Sequence, residues 1–320
     1  AHQGFAKILD ISMGMPVVFA NPAASRSRHI SSLKIAQLRL NLHQNSGIRF
    51  HEVVLDTCIK HTVVSRAKKI DRSSEHMLIG EEPLSIHVEG KPYSVVMRTP
   101  GDELAHVAGF CLAEGIVDTP DDFNTISRCD GMDPNVVTVT ISQSRLNKIT
   151  GLLDRRGFIS QTSCGICGKE IVKDLFQKIQ PLRDHTRLDA GLAVQMLENL
   201  SQHQPLRDKT RASHAAALYA ADLKLLSSAE DVGRHNALDK AIGKLFLDRR
   251  LDGAVLLVLS SRISYELVQK AARARLPVIL AFSRPTSLAV ELASELNMTL
   301  ACLARDSGLY IYCGEDRLNL

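Results

Sequence analysis

Ala254-Val255-Leu256-Leu257-Val258-Leu259-Ser260-Ser261-Arg262 decides the fold. Its apolar residues run without a polar break and stop abruptly at two serines and an arginine. An uninterrupted apolar strand of this kind is buried on both faces, as in a parallel sheet covered by helices. The pattern then repeats. A helix is predicted from Tyr265 to Arg275, and Pro277 to Phe282 forms a second apolar strand ending in Ser283-Arg284-Pro285. A helix from Ser287 to Leu296 leads to a third strand, Thr299 to Ala304, ending in Arg305-Asp306-Ser307-Gly308. Strands alternating with helices predict an α/β domain, and ligands of such sheets bind beyond the strand carboxyl ends. All three ends carry small, polar or cationic residues. Ser260, Ser261, Arg262, Ser283, Arg284 and Arg305 therefore form a predicted anion-binding edge.

Upstream, Glu230-Asp231-Val232-Gly233-Arg234-His235-Asn236 opens a helix from Ala237 to Phe246. Gly233 allows close approach, Arg234 offers a fork of donors, and the helix start offers N–H groups to an anion. The Asp231 carboxylate has the chemistry to accept from a guanine's N1 and N2 groups. Thr210-Arg211-Ala212-Ser213-His214 precedes a strand-like run, Ala215 to Ala220, and Leu188 to Leu200 is helical in pattern.

Thr162-Ser163-Cys164-Gly165-Ile166-Cys167-Gly168 precedes a stretch whose Ile171, Val172, Leu175, Phe176 and Ile179 mark one face of a helix. Thiols before a helix N-terminus lie where an anion is favoured, which lowers a cysteine's pKa. Local geometry alone makes Cys167, nearer the helix, the more acidic thiol. His87-Val88-Glu89 followed by Cys164 and Cys167 imitates the zinc deaminase pattern. It is discounted, because His87 sits in an alternating strand, Ser163 stands where proline belongs, and the gap is long. A structural zinc site would need further ligands, and no second close cysteine pair or closely spaced histidine pair exists. No metal is expected. A thioredoxin-type dithiol would follow a first strand, whereas this one lies at mid-chain.

The N-terminal half has a different texture. Leu84, Ile86 and Val88 alternate with polar residues, Gly90-Lys91-Pro92 turns, and Tyr93, Val95 and Met97 alternate again, which predicts a hairpin. Thr99-Pro100-Gly101-Asp102 carries helix-start signals, with proline at the first helical position. The helix is expected to reach Glu114 and to bury Leu104, Val107, Ala108, Cys111 and Leu112, with His106 on its surface. Val136 to Ile141 reads as a strand, and Asn147 to Arg156 as a short helix or loop. The resulting division is an N-terminal extension at 1–75, a small α+β unit at 76–160 and an α/β domain at 161–320. The extension is interrupted by polar clusters and is the least readable part.

The 320 residues are 45% hydrophobic and 23% charged, with a net charge of +4, an ordinary globular balance whose mild basic excess suits an anionic ligand. Tryptophan is absent and aromatics are few, so a base-stacking nucleic-acid surface is not suggested. Seven scattered cysteines do not form a disulfide framework and fit a reducing compartment, so a cytoplasmic location is expected. Met13 to Ala20 makes a poor secretory signal, and no apolar run is long enough to span a bilayer.

Several ordered motifs resemble the formate dehydrogenase accessory sulfurtransferase family (FdhD). They are Arg98-Thr99-Pro100-Gly101-Asp102-Glu103-Leu104, Ser163 to Gly168, Glu230 to Lys240, Tyr265 to Ala271, and Pro285-Thr286-Ser287-Leu288-Ala289-Val290. The resemblance runs from about Pro83 to the C-terminus. It implies a cytidine-deaminase-like α/β fold for the C-terminal domain, without deaminase zinc chemistry, and a homodimer. It implies that sulfur is taken from a cysteine desulfurase and delivered to the molybdenum cofactor, bis-molybdopterin guanine dinucleotide, destined for formate dehydrogenase. The cofactor is cargo, and a guanine nucleotide would mimic it. The first cysteine of such a loop carries the persulfide, which points to Cys164, with Cys167 assisting. The family's cofactor contacts near the last strand fall on Leu303, Ala304, Arg305, Asp306, Ser307 and Gly308. One departure stands out. A family segment Thr-Gly-Gly-x-His reads here Thr210 to His214, keeping Thr210 and His214 but with Arg211 and Ala212 in place of both glycines. Two other classes stay open: a non-catalytic molybdenum-cofactor chaperone, and a dithiol oxidoreductase.

Overall fold

The computed structural model describes residues 56–67, 70–128, 133–155, 179–305 and 308–319. In chain order its first part holds β1 (Cys58–Ala67), β2 (Ile70–Ile79), β3 (Glu82–Val88), β4 (Lys91–Arg98), α1 (Glu103–Ala113), β5 (Phe123–Arg128), β6 (Val136–Ile141) and α2 (Gln143–Arg155). Then come β7 (Leu188–Asp189), α3 (Ala190–Glu198), α4 (Pro205–Thr210), β8 (His214–Tyr219), β9 (Leu225–Asp231) and α5 (Arg234–Leu247). The last part holds β10 (Leu256–Arg262), α6 (Tyr265–Arg273), β11 (Val278–Ser283), α7 (Ser287–Glu295), β12 (Thr299–Leu303), β13 (Leu309–Cys313) and β14 (Leu318–Asn319).

The three apolar runs become β10, β11 and β12, which pair in parallel at the centre of a six-stranded sheet ordered β13-β12-β11-β10-β8-β9. The sheet is mixed, because β8, β9 and β13 join antiparallel. The continuous apolar character of the central strands has the expected cause, burial on both faces. Leu257, Leu259, Ile279 and Leu300 belong to one core with residues of α1, α5, α6 and α7. Leu256, Val258, Val278 and Leu280 belong to a second core with Ala193 and Leu197 of α3. A separate four-stranded sheet, β4-β3-β6-β5, contributes Leu84, Ile86, Val88, Val137, Val139 and Ile141 to the first core.

Helix α1 joins the two sheets' halves by lying against α5, and glycine on each helix makes the approach possible. A Cβ on Gly109 would stand 2.0 Å from the Asp239 carbonyl oxygen, and one on Gly243 would stand 1.7 Å from that of Ala105. Enclosed this way, α1 is buried nearly all round, and His106, expected on its surface, is 0% exposed. The helix also starts later than expected, at Glu103 rather than Pro100. Gly101 (φ 104°) and Asp102 (φ 58°) form a left-handed turn that must be completed first.

The β3–β4 hairpin is present, but the phase of β4 differs from the sequence reading. Val95 and Met97 are 61% and 51% exposed, while Val96 packs against the core. The pairing shifts register between Ile86 and His87, and such an irregularity exchanges the faces of the residues beyond it. β1 and β2 form an antiparallel ribbon that begins in the stretch read as an extension and runs past its expected end at residue 75, to Ile79.

Candidate functional site

Topology assembles the site. The antiparallel pairing of β8 with β10 sets Ala216 opposite Leu259, so the start of β8 adjoins the carboxyl end of β10. His214 on β8 faces Asp231 at the end of β9, and Arg262 pairs with Ser283 at the end of β11. His214, the Asp231–Asn236 loop, Ser260, Arg262 and Ser283 therefore share one edge.

On this edge His214 Nδ1 lies 3.4 Å from Ser260 Oγ, which also accepts the Ala215 N–H at 2.8 Å. His235, in the first turn of α5, has Nε2 at 3.4 Å from Ser264 Oγ and 3.9 Å from Glu266. Arg207 on α4 donates to the Ser213 carbonyl at 2.9 Å, just before His214. Burial, and then the nearby Arg262 guanidinium, hold Arg234 below its ordinary value, and its Nε has no hydrogen-bond partner among the described residues. His214 is held below the usual imidazole range by burial and then by Arg234 and Arg207. His235 is pushed down to about 4 by burial, Lys270 and Arg234. At neutral pH the edge thus holds arginines at close quarters and uncharged imidazoles, with Glu266 as the acid near Arg234 and His235. Like charges gathered without full compensation are relieved by an anion, and a phosphate fits the guanidinium geometry.

The loop's own acid does other work. Asp231, expected as a guanine acceptor, is 0% exposed. Its carboxylate pairs with Lys240 Nζ at 2.7 Å and accepts from Thr99 N at 3.0 Å, Gly233 N at 2.8 Å and Asn236 Nδ2 at 2.9 Å. The expectation is corrected: these acceptors are taken by the protein, and the Gly233 N–H is bonded to the same carboxylate. Ser261 is likewise buried, with its hydroxyl on the Arg262 carbonyl at 3.0 Å, which removes it from the list of donors. Ser283 and Arg284 are exposed, and Arg284 lies over the Tyr310 ring at 5.7 Å from its centroid. Of the last loop, Leu303 and Ala304 are half-buried and Arg305 exposed, with Ala304 N donating to Gly308 O at 2.7 Å. Asp306, Ser307, Cys164 and Cys167 lie outside the described residues. His87 is a strand residue bonded to Ser85 Oγ at 3.0 Å, and Glu89 accepts the Ile141 N–H at 2.6 Å.

Sequence reasoning missed Arg207, Ser264 and Glu266. Ser264 was legible as the residue before the helix at Tyr265, where it is the N-cap. Arg207 had no signal, since α4 spans only six residues. The departure at Arg211 has a backbone consequence, because this residue caps α4 in the left-handed region at φ 59°. Glycine adopts that conformation without strain, whereas a side chain there costs on the order of 1 kcal/mol.

The depressed histidines set a pH dependence. His106, fully buried, is held well below its usual value by burial and then by Lys240, Lys270 and Arg98. A histidine whose folded pKa is depressed binds fewer protons folded than unfolded, so its stabilisation is present above the unfolded value, about 6.5. It is lost as the pH falls from there toward the folded values, about 4 for His235. The melting temperature is expected to drop between neutral pH and about pH 5, more steeply in wild type than in His106→Leu. Parallel curves for the two proteins would contradict this.

Residues 79–319 match the model of the FdhD/NarQ family. The "Sulfur carrier protein FdhD" of Streptomyces coelicolor is 41% identical over 255 residues, covering 76% of this chain and 89% of that protein. The protein of the same name from Mycolicibacterium paratuberculosis is 39% identical over 251 residues, covering 75% and 91%. The fold is similar to the crystal structure of a protein designated a formate dehydrogenase accessory protein from Desulfotalea psychrophila. The TM-score is 0.67 at 21% identity, over 82% of this chain and 100% of that one.

Proposed function

The chain belongs to the FdhD/NarQ family, and from that membership we propose that it is a sulfur carrier serving the maturation of formate dehydrogenase. In this reading the Cys164 thiolate attacks the terminal sulfur of a cysteine desulfurase persulfide. A new sulfur–sulfur bond forms, the old one breaks, the desulfurase cysteine leaves as thiolate, and Cys164 carries the extra sulfur. Cys167 assists as the neighbouring thiol. The sulfur goes to the molybdenum cofactor, whose guanine dinucleotide tails supply the phosphates that the edge is built to take. The protein acts in the cytoplasm as a homodimer, with a C-terminal half of the cytidine-deaminase-like kind.

The observation that carries this reading is the strand-end edge itself. Arg207, Arg234 and Arg262 gather beside two uncharged histidines, in a chain that also holds a paired-cysteine motif. Mg²⁺-free guanosine diphosphate is the natural probe, being one arm of the cargo without its pterin. The chemical role of Cys164 is tested in cells that make formate dehydrogenase but lack their own sulfur carrier of this family. The wild-type chain is expected to restore formate dehydrogenase activity, and Cys164→Ala to leave it at background. Full restoration by Cys164→Ala would reject sulfur transfer through that cysteine and favour a cofactor chaperone.

A further inference from the structure

Lys240 lies on α5 beyond the edge, 2% exposed, where it can touch no ligand. Its ammonium is nonetheless fixed on two sides. Nζ pairs with Asp231 Oδ2 at 2.7 Å and donates to the Thr99 carbonyl at 2.7 Å. Thr99 returns two bonds to the loop, its N–H to Asp231 at 3.0 Å and its hydroxyl accepting the Val232 N–H at 3.0 Å. Asn236 Nδ2 reaches the Met97 carbonyl at 2.7 Å as well as Asp231. Thr99 is itself held, because the neighbouring Arg98 is buried, bonded to Asn135 Oδ1 at 2.7 Å and paired with Glu103 at 3.2 Å. Glu103 in turn accepts the Gly101 N–H at 2.6 Å.

In the loop from Asp231 to Asn236, then, the Asp231 and Asn236 side chains and the Val232 and Gly233 N–H groups are tied inward, and Arg234 and His235 are the polar side chains left on the edge. We propose that Lys240 is a positioning residue for phosphate binding: through Asp231 and Thr99 it fixes the loop that presents Arg234 and His235. It has a second effect. The Asp231 carboxylate would otherwise be an uncompensated buried anion directly behind a site for anions, and Lys240 cancels that charge. The inference rests on the reading of the edge as the seat of a nucleotide phosphate. It gives a role to Arg98–Glu103, a segment remote in sequence from the loop it supports.

Guanosine diphosphate binding to the full-length protein, followed by calorimetry, tests the assignment. Lys240→Met leaves Asp231 buried and unpaired and is expected to fold poorly. Asp231→Asn/Lys240→Met removes both charges together and is the informative variant. Its affinity for guanosine diphosphate is expected to fall about tenfold or more through lost orientation, with a melting temperature near that of wild type. Loading of sulfane sulfur by a desulfurase and cysteine is expected to be retained. A merely structural role would move all three quantities together, and unchanged affinity in the double variant would equally overturn the inference. Arg234→Ala separates the two levels. If wild type binds, Arg234→Ala does not and the double variant does, the edge stands and the role of Lys240 falls. If wild type does not bind, or Arg234→Ala binds as wild type does, the edge reading itself falls, and the inference with it.

Discussion

Gly243→Ala is expected to destabilise the protein by about 3 kcal/mol or more, at the upper end of overpacking effects. The sign is opposite to the usual one, since alanine is favoured over glycine in a helix by about 1 kcal/mol. The reason is the crossing of α1 and α5. The new methyl carbon would stand 1.7 Å from the Ala105 carbonyl oxygen and 2.9 Å from Gly109 N, and both are backbone atoms that no rotamer change can move aside. The helices must part. Their separation would loosen the buried Asp239–Lys270 pair, with oxygens at 2.7 and 2.8 Å from Nζ, and the contacts of Thr99 with the Asp231 loop. A loss of that size is a large fraction of a typical folding free energy of about 5–15 kcal/mol. Gly253→Ala is the control, because a Cβ there meets nothing nearer than Leu226 Cδ1 at 3.9 Å. Denaturant unfolding of the two variants checks the expectation, and equal midpoints would show that the helix contact is not as close as described.

The second large effect concerns Arg234. Arg234→Ala is expected to weaken guanosine diphosphate binding by about 10- to 100-fold, the range of one charge-assisted hydrogen-bonding group worth about 1.5–3 kcal/mol. The same change should leave the unliganded protein as stable as before, or more so. Arg234 is partly buried, its Nε lacks a partner among the described residues, and Arg262 stands close by. Removing it relieves desolvation and the like-charge crowding with Arg262, which Glu266 offsets only in part and a bound anion would offset further. The wild-type affinity should also fall with added salt, and the dependence should be shallower in the variant. A residue kept merely for structure would give the reverse, a lower melting temperature with little change in binding.

The central strands could be read because they obey one simple rule. Leu256 to Leu259 and Val278 to Ala281 are buried on both faces, so their apolar runs are unbroken. β9 breaks that rule. Leu225-Leu226-Ser227-Ser228-Ala229-Glu230-Asp231 offers little apolar periodicity, because its inward polar groups are satisfied inside the fold: Ser227 Oγ donates to the Ala241 carbonyl at 2.9 Å. The β1–β2 ribbon is opaque for a different reason. Ile59 and Val64 are 58% and 64% exposed, so neither face records a core, and the pairing lies in the backbone. The edge was legible in part. Arginines and serines mark the strand ends in the sequence, and the parallel register brings those ends side by side. Asp231 was misread because an acid in a loop looks the same whether it meets a ligand or a buried lysine. Only Lys240, nine residues on and hidden by burial, decides between them. His106 was misread for the same kind of reason. Helical periodicity assigns one buried face, and α1 has more than one because α5 covers it closely.

Whether Cys164 carries sulfur is decided by a loading experiment. The purified protein is incubated with a cysteine desulfurase and cysteine, separated from both, and its bound sulfane sulfur is measured in wild type and in Cys164→Ala. Stoichiometric sulfur is expected on the wild-type chain, and none above background on the variant. Equal loading of the two would contradict a carrier role for Cys164.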